Sequence, residues 1–261
     1  MQFFQIDAFT DRAFKGNPAA ICLMDQSAED EWLQAVAAEM GVSETAFVWS
    51  LEEGYHLRWF TPKVEVDLCG HATLAASFAL WNAGRQDANS PITFHTRSGT
   101  LTATRTEDEI YLDFPAKRES EVEAPEGLAA AIGMMPVYCG KNDFDILMQV
   151  ESQADVENAK VDFARLADIP VRGVILTAKS DSDQFDFVSR FFAPAVGINE
   201  DPVTGSAHVC LAPFWSNRLG REELVGFQAS QRGGIVKTRL DGDRVHLGGN
   251  AVIVVEGQLK V

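Results

Sequence analysis

Residues 2–9 (QFFQIDAF) and 19–24 (AAICLM) read as strands, and the turn-forming Gly16, Asn17 and Pro18 interrupt any regular element between them. Ser27 then stands as an N-cap before a helix to Met40. Glu29, Asp30 and Glu31 load its first turn with negative charge, and Trp32, Val36 and Met40 share one face. Strands are predicted at 45–50 and 55–61. The next segment departs from one-sided patterning. Over 71–83, Ala72, Leu74, Ala75, Ala76, Phe78, Ala79, Leu80 and Trp81 leave no polar stripe, so the spacing predicts a helix enclosed on nearly every side and ended by Gly84. Three strands follow at 91–97, 100–107 and 109–115.

The same order then recurs. After the acidic stretch ESEVEAPEG come strands at 136–141 and 144–150, a helix over 153–167, strands at 171–178 and 185–192, and a second enclosed helix over 206–219. Strands at 224–229, 235–240 and 244–259 complete the copy. The second helix stops at Gly220 and carries Pro213, which should kink it or cost it one backbone hydrogen bond. Two stretches make the duplication explicit: RWFTPKVEVDLCGHATLAASFALW from Arg58 and RFFAPAVGINEDPVTGSAHVCLAPFW from Arg190. Each has Arg, an aromatic, Phe, a small residue and Pro, then a loop to a glycine turn and an apolar run. The expectation is an α+β protein of two pseudo-symmetric domains, each a curved, mostly antiparallel sheet or barrel wrapped around a central helix. The domains expected are 1–117, completed by a C-terminal strand over 250–261 if Gly248 and Gly249 bend the chain back, and 118–261.

Composition narrows function mainly by exclusion. A formal charge of −16 with no Lys/Arg cluster argues against nucleic acid and anionic membrane surfaces. A helix of about 20 Å is too short to span a bilayer. The opening MQFFQIDAFTDRAF lacks a basic segment followed by an apolar one, which makes the cytoplasm the expected location. Cys22, Cys69, Cys139 and Cys210 show no CxxC spacing and read as buried thiols. Cys69 with His71, and His208 with Cys210, lack the spacing of a tetrahedral site, so no metal is expected. Signatures for dinucleotides, nucleoside triphosphates, serine hydrolysis and zinc proteolysis are absent, and no cofactor is expected.

What remains is acid–base chemistry near two glycine turns, Cys69-Gly70-His71 and Thr204-Gly205-Ser206. If both helix starts face one cleft, their unpaired N–H groups suit a small carboxylate. The helix start should bias His71 toward neutral imidazole. Asp201 either caps N–H groups or positions substrate, and Glu44 is either a surface carboxylate or a proton carrier.

These residues fall in motifs that resemble the phenazine biosynthesis PhzF-like family, which has the diaminopimelate epimerase fold. FxQIDAFTxxxFxGNPAA, SETAFV, RWFTPxxEVxLCGHATLAA, EDPVTGSAH and GGNAVIVVEG all stand here and cover nearly the whole chain. The resemblance implies a cofactor-free isomerase, commonly a homodimer. It makes Glu44 the general acid/base and has His71, Asp201 and Ser206, with the Gly70 and Gly205 N–H groups and Ser43, bind and polarise a substrate held between the domains. Epimerase relatives oppose two cysteines. Here Cys69 fills the first place and the second turn offers no thiol, although a thiol at a helix start has a lowered pKa. An amino-acid epimerase or racemase, and a non-catalytic ligand-binding protein, are the competing expectations.

Overall fold

The structure, a computed structural model, describes residues 1–87, 89–107 and 109–260. The chain separates into two compact units, Met1–Phe114 with Gly248–Val261, and Pro115–Leu247. The first contains β1 (Gln2–Ala8), β2 (Asn17–Met24), α1 (Asp30–Met40), β3 (Glu44–Ser50), β4 (Tyr55–Phe60), β5 (Glu65–Val66) and α2 (Gly70–Asn82), followed by β6 (Ile92–Thr96), β7 (Gly99–Thr106) and β8 (Glu109–Pro115). The second contains β9 (Ser120–Glu121), α3 (Leu128–Ile132), β10 (Tyr138–Lys141), β11 (Asp145–Gln149), α4 (Gln153–Asn158), α5 (Phe163–Ala167), β12 (Gly173–Lys179) and β13 (Phe187–Ala193). It continues through β14 (Ile198–Asp201), α6 (Gly205–Leu219), β15 (Glu223–Gln228), β16 (Gly234–Asp241) and most of β17 (Arg244–Gly249). The last strand, β18 (Ala251–Gln258), pairs antiparallel with β1 in the first unit.

The repeat is visible in the pairing itself. In the first unit the order β18-β1-β2-β3-β4-β6-β7 alternates as antiparallel, antiparallel, parallel, antiparallel, parallel, antiparallel. In the second, β9-β10-β11-β12-β13-β15-β16 follows the same sequence of senses. The α+β architecture of mostly antiparallel sheets around central helices is therefore duplicated. Of α2, residues 71–77 and 79–81 are buried, and of α6 all but Ser206 from Gly205 to Ser216. Each helix carries the apolar area needed to hold a sheet closed around it. Burial of a Leu or Phe side chain contributes about 1.5–3 kcal/mol.

Several local expectations change. Helix α1 begins at Asp30 with Glu29 at the cap and no side-chain cap, so Ser27 is not the start. The helix expected over 153–167 is two. Ser152 caps α4 with a capping box, the chain leaves helical geometry at Ala159, and Asp162 caps α5. Arg190 draws it off: its Nη1 donates to the Val156 and Ala159 carbonyls at 3.3 and 3.0 Å, supplying the partners that a continuing helix would have supplied. Helix α6 runs unbroken through Pro213. The strand expected over 244–259 is interrupted at Asn250.

Candidate active site

The loop before β2, which ends at Gly16, sets the first piece. Gly16 has φ +64°, and a Cβ there would lie 2.1 Å from the Ala8 carbonyl oxygen, so no other residue fits without moving backbone. That turn delivers Asn17, fully buried, to the head of β2. Beside it in the sheet, β3 runs parallel and opens at Glu44, opposite Ala19. The strap β4–β5 completes the frame. Arg58 grips Glu65 with both Nε and Nη2, at 2.7 Å each, and lies 5.0 Å from the centre of the Phe60 ring, fixing the strand that leads to α2.

At the start of α2 these elements converge. Ser43 Oγ donates to Asn17 Oδ1 (3.2 Å), and the Asn17 amide nitrogen lies 3.2 Å from His71 Nδ1. The other ring nitrogen, Nε2, stands 3.2 Å from Glu44 Oε2, and Cys69 Sγ is 3.5 Å from Nδ1. Glu44 Oε2 is buried and has no hydrogen-bond partner among the described residues, its approach to His71 being close but poorly aligned. A buried, unpartnered carboxylate oxygen costs stability unless something else uses it.

The electrostatics differ from the sequence expectation in two places. Burial disfavours a charge on His71, but Cys69 and the Glu44 carboxylate outweigh it, and its pKa lies well above the usual imidazole value. An adjacent carboxylate is stronger than the partial charge of a helix start, so a neutral bias does not hold. The proton meets a countervailing contact. With the Asn17 amide nitrogen facing Nδ1, a doubly protonated ring would set two donors against each other, so charging His71 entails reversing that amide. For Cys69 the expected lowering is also absent. Burial and then the Glu44 charge push its thiol up, against the pull of the His71 ring and the Ala72 N–H, so the helix start does not activate it. Glu44, Cys69 and His71 each offer a ligand atom within 4.8 Å of the others, and they are the one group of three metal-ligating side chains found among the described residues.

The second unit brings its own set together. Arg190 holds Glu200 with Nε at 2.7 Å and Nη2 at 3.0 Å and lies 4.9 Å from the centre of the Phe192 ring, the same device as Arg58 with Glu65 and Phe60. Downstream, Asp201 Oδ2 accepts from Thr204 Oγ1 (2.6 Å). Gln228 bridges the loop, donating to the Asp201 carbonyl (2.7 Å) and accepting from Thr204 N (2.8 Å). Gly205 and Ser206 open α6. Ser206 Oγ accepts from Arg172 Nη2 at 3.0 Å, and Arg172 in turn forks onto the buried Asp145. The sequence reading missed Asn17, Asp145, Arg172 and Gln228. The first lay within a recognised turn, and the others carried no local signal.

Comparison with known proteins places these sites in context. The phenazine biosynthesis-like protein family matches residues 6–257. A protein named as an uncharacterized isomerase, from Halalkalibacterium halodurans, is 49% identical over 257 residues, spanning 98% of this chain and 97% of that one. A crystal structure of a phenazine biosynthesis PhzF-family protein from Enterococcus faecalis superposes with TM-score 0.96 at 38% identity, covering 100% of this chain and 99% of that one. A probable proline racemase from Agrobacterium radiobacter, at TM-score 0.65 and 10% identity over 100% of this chain and 93% of its own, shares the fold.

Proposed function

The chain belongs to the phenazine biosynthesis-like family, and from that membership we propose that it is a cofactor-independent isomerase that moves a proton between two carbons of a small carboxylate. Glu44 carries the proton. It breaks a C–H bond beside an electron-withdrawing group, the electron pair passes into the adjacent unsaturated system, and the same carboxyl returns the proton to another carbon, leaving a tautomer with no net loss of atoms. His71 Nε2 stands 3.2 Å from the Glu44 carboxyl without a hydrogen bond to it among the described residues, and it is this N–H that donates to the substrate oxygen on which charge develops. Ser43, the Gly70 and Gly205 N–H groups, Asp201 and Ser206 are assigned to substrate binding, and a homodimer is the expected assembly, checked by light scattering.

One observation carries the reading: a buried Glu44 oxygen with no hydrogen bond among the described residues, 3.2 Å from a histidine whose pKa is raised. A screen of small carboxylates for carbon-bound proton exchange in heavy water, read by NMR, tests it. Glu44→Gln keeps shape but cannot shuttle a proton, so exchange should fall by about 10²–10⁴-fold. Exchange at the wild-type rate in that variant rules Glu44 out. Inversion of a stereocentre that is lost in Cys69→Ala would instead assign an epimerase. The raised Cys69 thiol argues against that alternative.

A further inference from the structure

The two units can be superimposed residue by residue from their own registers. In the first, Phe47 pairs with Arg58, and in the second, Leu176 pairs with Arg190. Equating the two bracing arginines equates Glu44 with Gly173 and Ser43 with Arg172. The helix starts equate Gly70 with Gly205 and His71 with Ser206. At the place of the proton carrier the second unit has no side chain and no room for one, since a Cβ on Gly173 would lie 2.4 Å from Phe191 Cζ. The adjoining place is filled instead. Ser43 reaches His71 by way of Asn17, whereas Arg172 reaches Ser206 directly at 3.0 Å.

Arg172 is unusually well fixed for a residue whose side chain is 37% exposed. Nε and Nη2 fork onto Asp145, which is 1% exposed. The guanidinium lies over the Phe144 and Phe191 rings at 5.2 and 5.7 Å, and the backbone N–H donates to the Phe144 carbonyl. Asp145 neutralises the charge, so Arg172 is not simply a free cation. Its third contact is the informative one. Ser206 Oγ accepts from Nη2, which leaves the hydroxyl proton no place in that direction and makes the Ser206 hydroxyl a donor elsewhere.

We propose that Arg172 is a positioning residue for substrate recognition, holding the Ser206 hydroxyl with its proton turned away from the guanidinium so that it donates to a carboxylate or carbonyl oxygen of the substrate. This rests on the reading of Ser206 as a substrate contact. It specifies that the Ser206 hydroxyl proton takes an oxygen acceptor of the substrate.

The test uses sodium acetate as probe and the Ser206 and Ala207 amide resonances as readout, so it needs neither the natural substrate nor turnover. Wild type should show saturable shifts. Arg172→Met and Ser206→Ala should each weaken acetate at least tenfold, and the double variant should be no weaker than either alone. Arg172→Lys keeps the charge facing Asp145 but cannot fork to two partners. It should retain the melting temperature while binding acetate as poorly as Arg172→Met, and it carries the test if Arg172→Met does not fold. A purely structural role predicts a lowered melting temperature with acetate affinity intact. That outcome, additive losses in the double variant, or no saturable shift in wild type overturns the proposal. Failure of Glu44→Gln to stop proton exchange would sink the isomerase reading while leaving acetate binding at Ser206 untouched.

Discussion

The Asn17 amide nitrogen lies 3.2 Å from His71 Nδ1, joining the first residue of β2 to a helix residue 54 positions later. With Ser43 on its carbonyl side, Asn17 orients the ring that faces Glu44. Asn17→Ala should lower kcat by about tenfold or more, the loss expected when a second partner no longer fixes a catalytic imidazole. KM should change less. The check is steady-state kinetics on whichever carboxylate shows exchange, with the melting temperature measured alongside.

The turn that delivers Asn17 should be equally intolerant. Gly16→Ala places a Cβ 2.1 Å from the Ala8 oxygen at φ +64°. Relieving that contact moves the β1–β2 connection, and stability should fall by about 1–3 kcal/mol. Urea unfolding measures it.

Arg190 ties β13 to Glu200 and to the end of α4 at once. Its side chain is 13% exposed and that of Glu200 22%, so Arg190→Met removes a mostly buried pair and leaves two carbonyls uncapped. A loss of about 2–3 kcal/mol is expected, below the range for fully buried pairs because water still reaches the carboxylate. Arg190→Lys should restore only part of it, since an ammonium cannot hold Glu200 with two parallel bonds.

His208, fully buried in α6, accounts for a pH dependence. Burial pushes its pKa down to about 4, with the Thr204 carbonyl opposing, while the unfolded chain titrates near 6.5. Its contribution is fully present above about pH 6.5. Between there and about pH 4 the unfolded state binds the extra proton, so this contribution drains away as pH falls, by about 3 kcal/mol in all. His208→Gln should flatten that part of the stability curve, and the difference between the two proteins from pH 7 to pH 4 isolates it from the carboxylates. A variant that keeps the full slope removes His208 from the account.

The cysteines should be silent in the folded protein. All four are buried. Cys22 and Cys210 are pushed by burial up to about 12, and Cys69 is raised by burial and by Glu44. Iodoacetamide at pH 7.5 should label none of them by mass spectrometry until urea is added. Rapid native labelling of Cys69 would revive the thiol-based alternative.

Much of the fold was readable because it is written twice. Helices α2 and α6 have apolar residues on all sides, and the Arg-aromatic-Phe openings mark equivalent strands, which the matching register of β2–β3 and β11–β12 then bears out. What escaped was non-local. Ala159 leaves the helix because Arg190, 31 residues on, takes its carbonyl. Asn17 looked like turn punctuation because Gly-Asn-Pro is a turn signal, and nothing within the turn reveals a histidine waiting across the sheet. Arg172 and Asp145 are separated by 27 residues, with no pattern in either flank to pair them. Glu44 emerged only through family motifs, since a carboxylate at the head of a strand is as often solvent-facing.

The partnership of β18 with β1 has a consequence for biogenesis. Because β18 follows the entire second unit in sequence, β1 emerges from the ribosome with β2 on one side and bare amides and carbonyls on the other. That open flank is a template for pairing with a neighbouring nascent chain until some 240 further residues have been translated. The second unit is uninterrupted and can close while it waits. Chaperone dependence during synthesis should therefore centre on β1, and refolding yield should fall with protein concentration more steeply than for the same architecture with β18 moved ahead of β1.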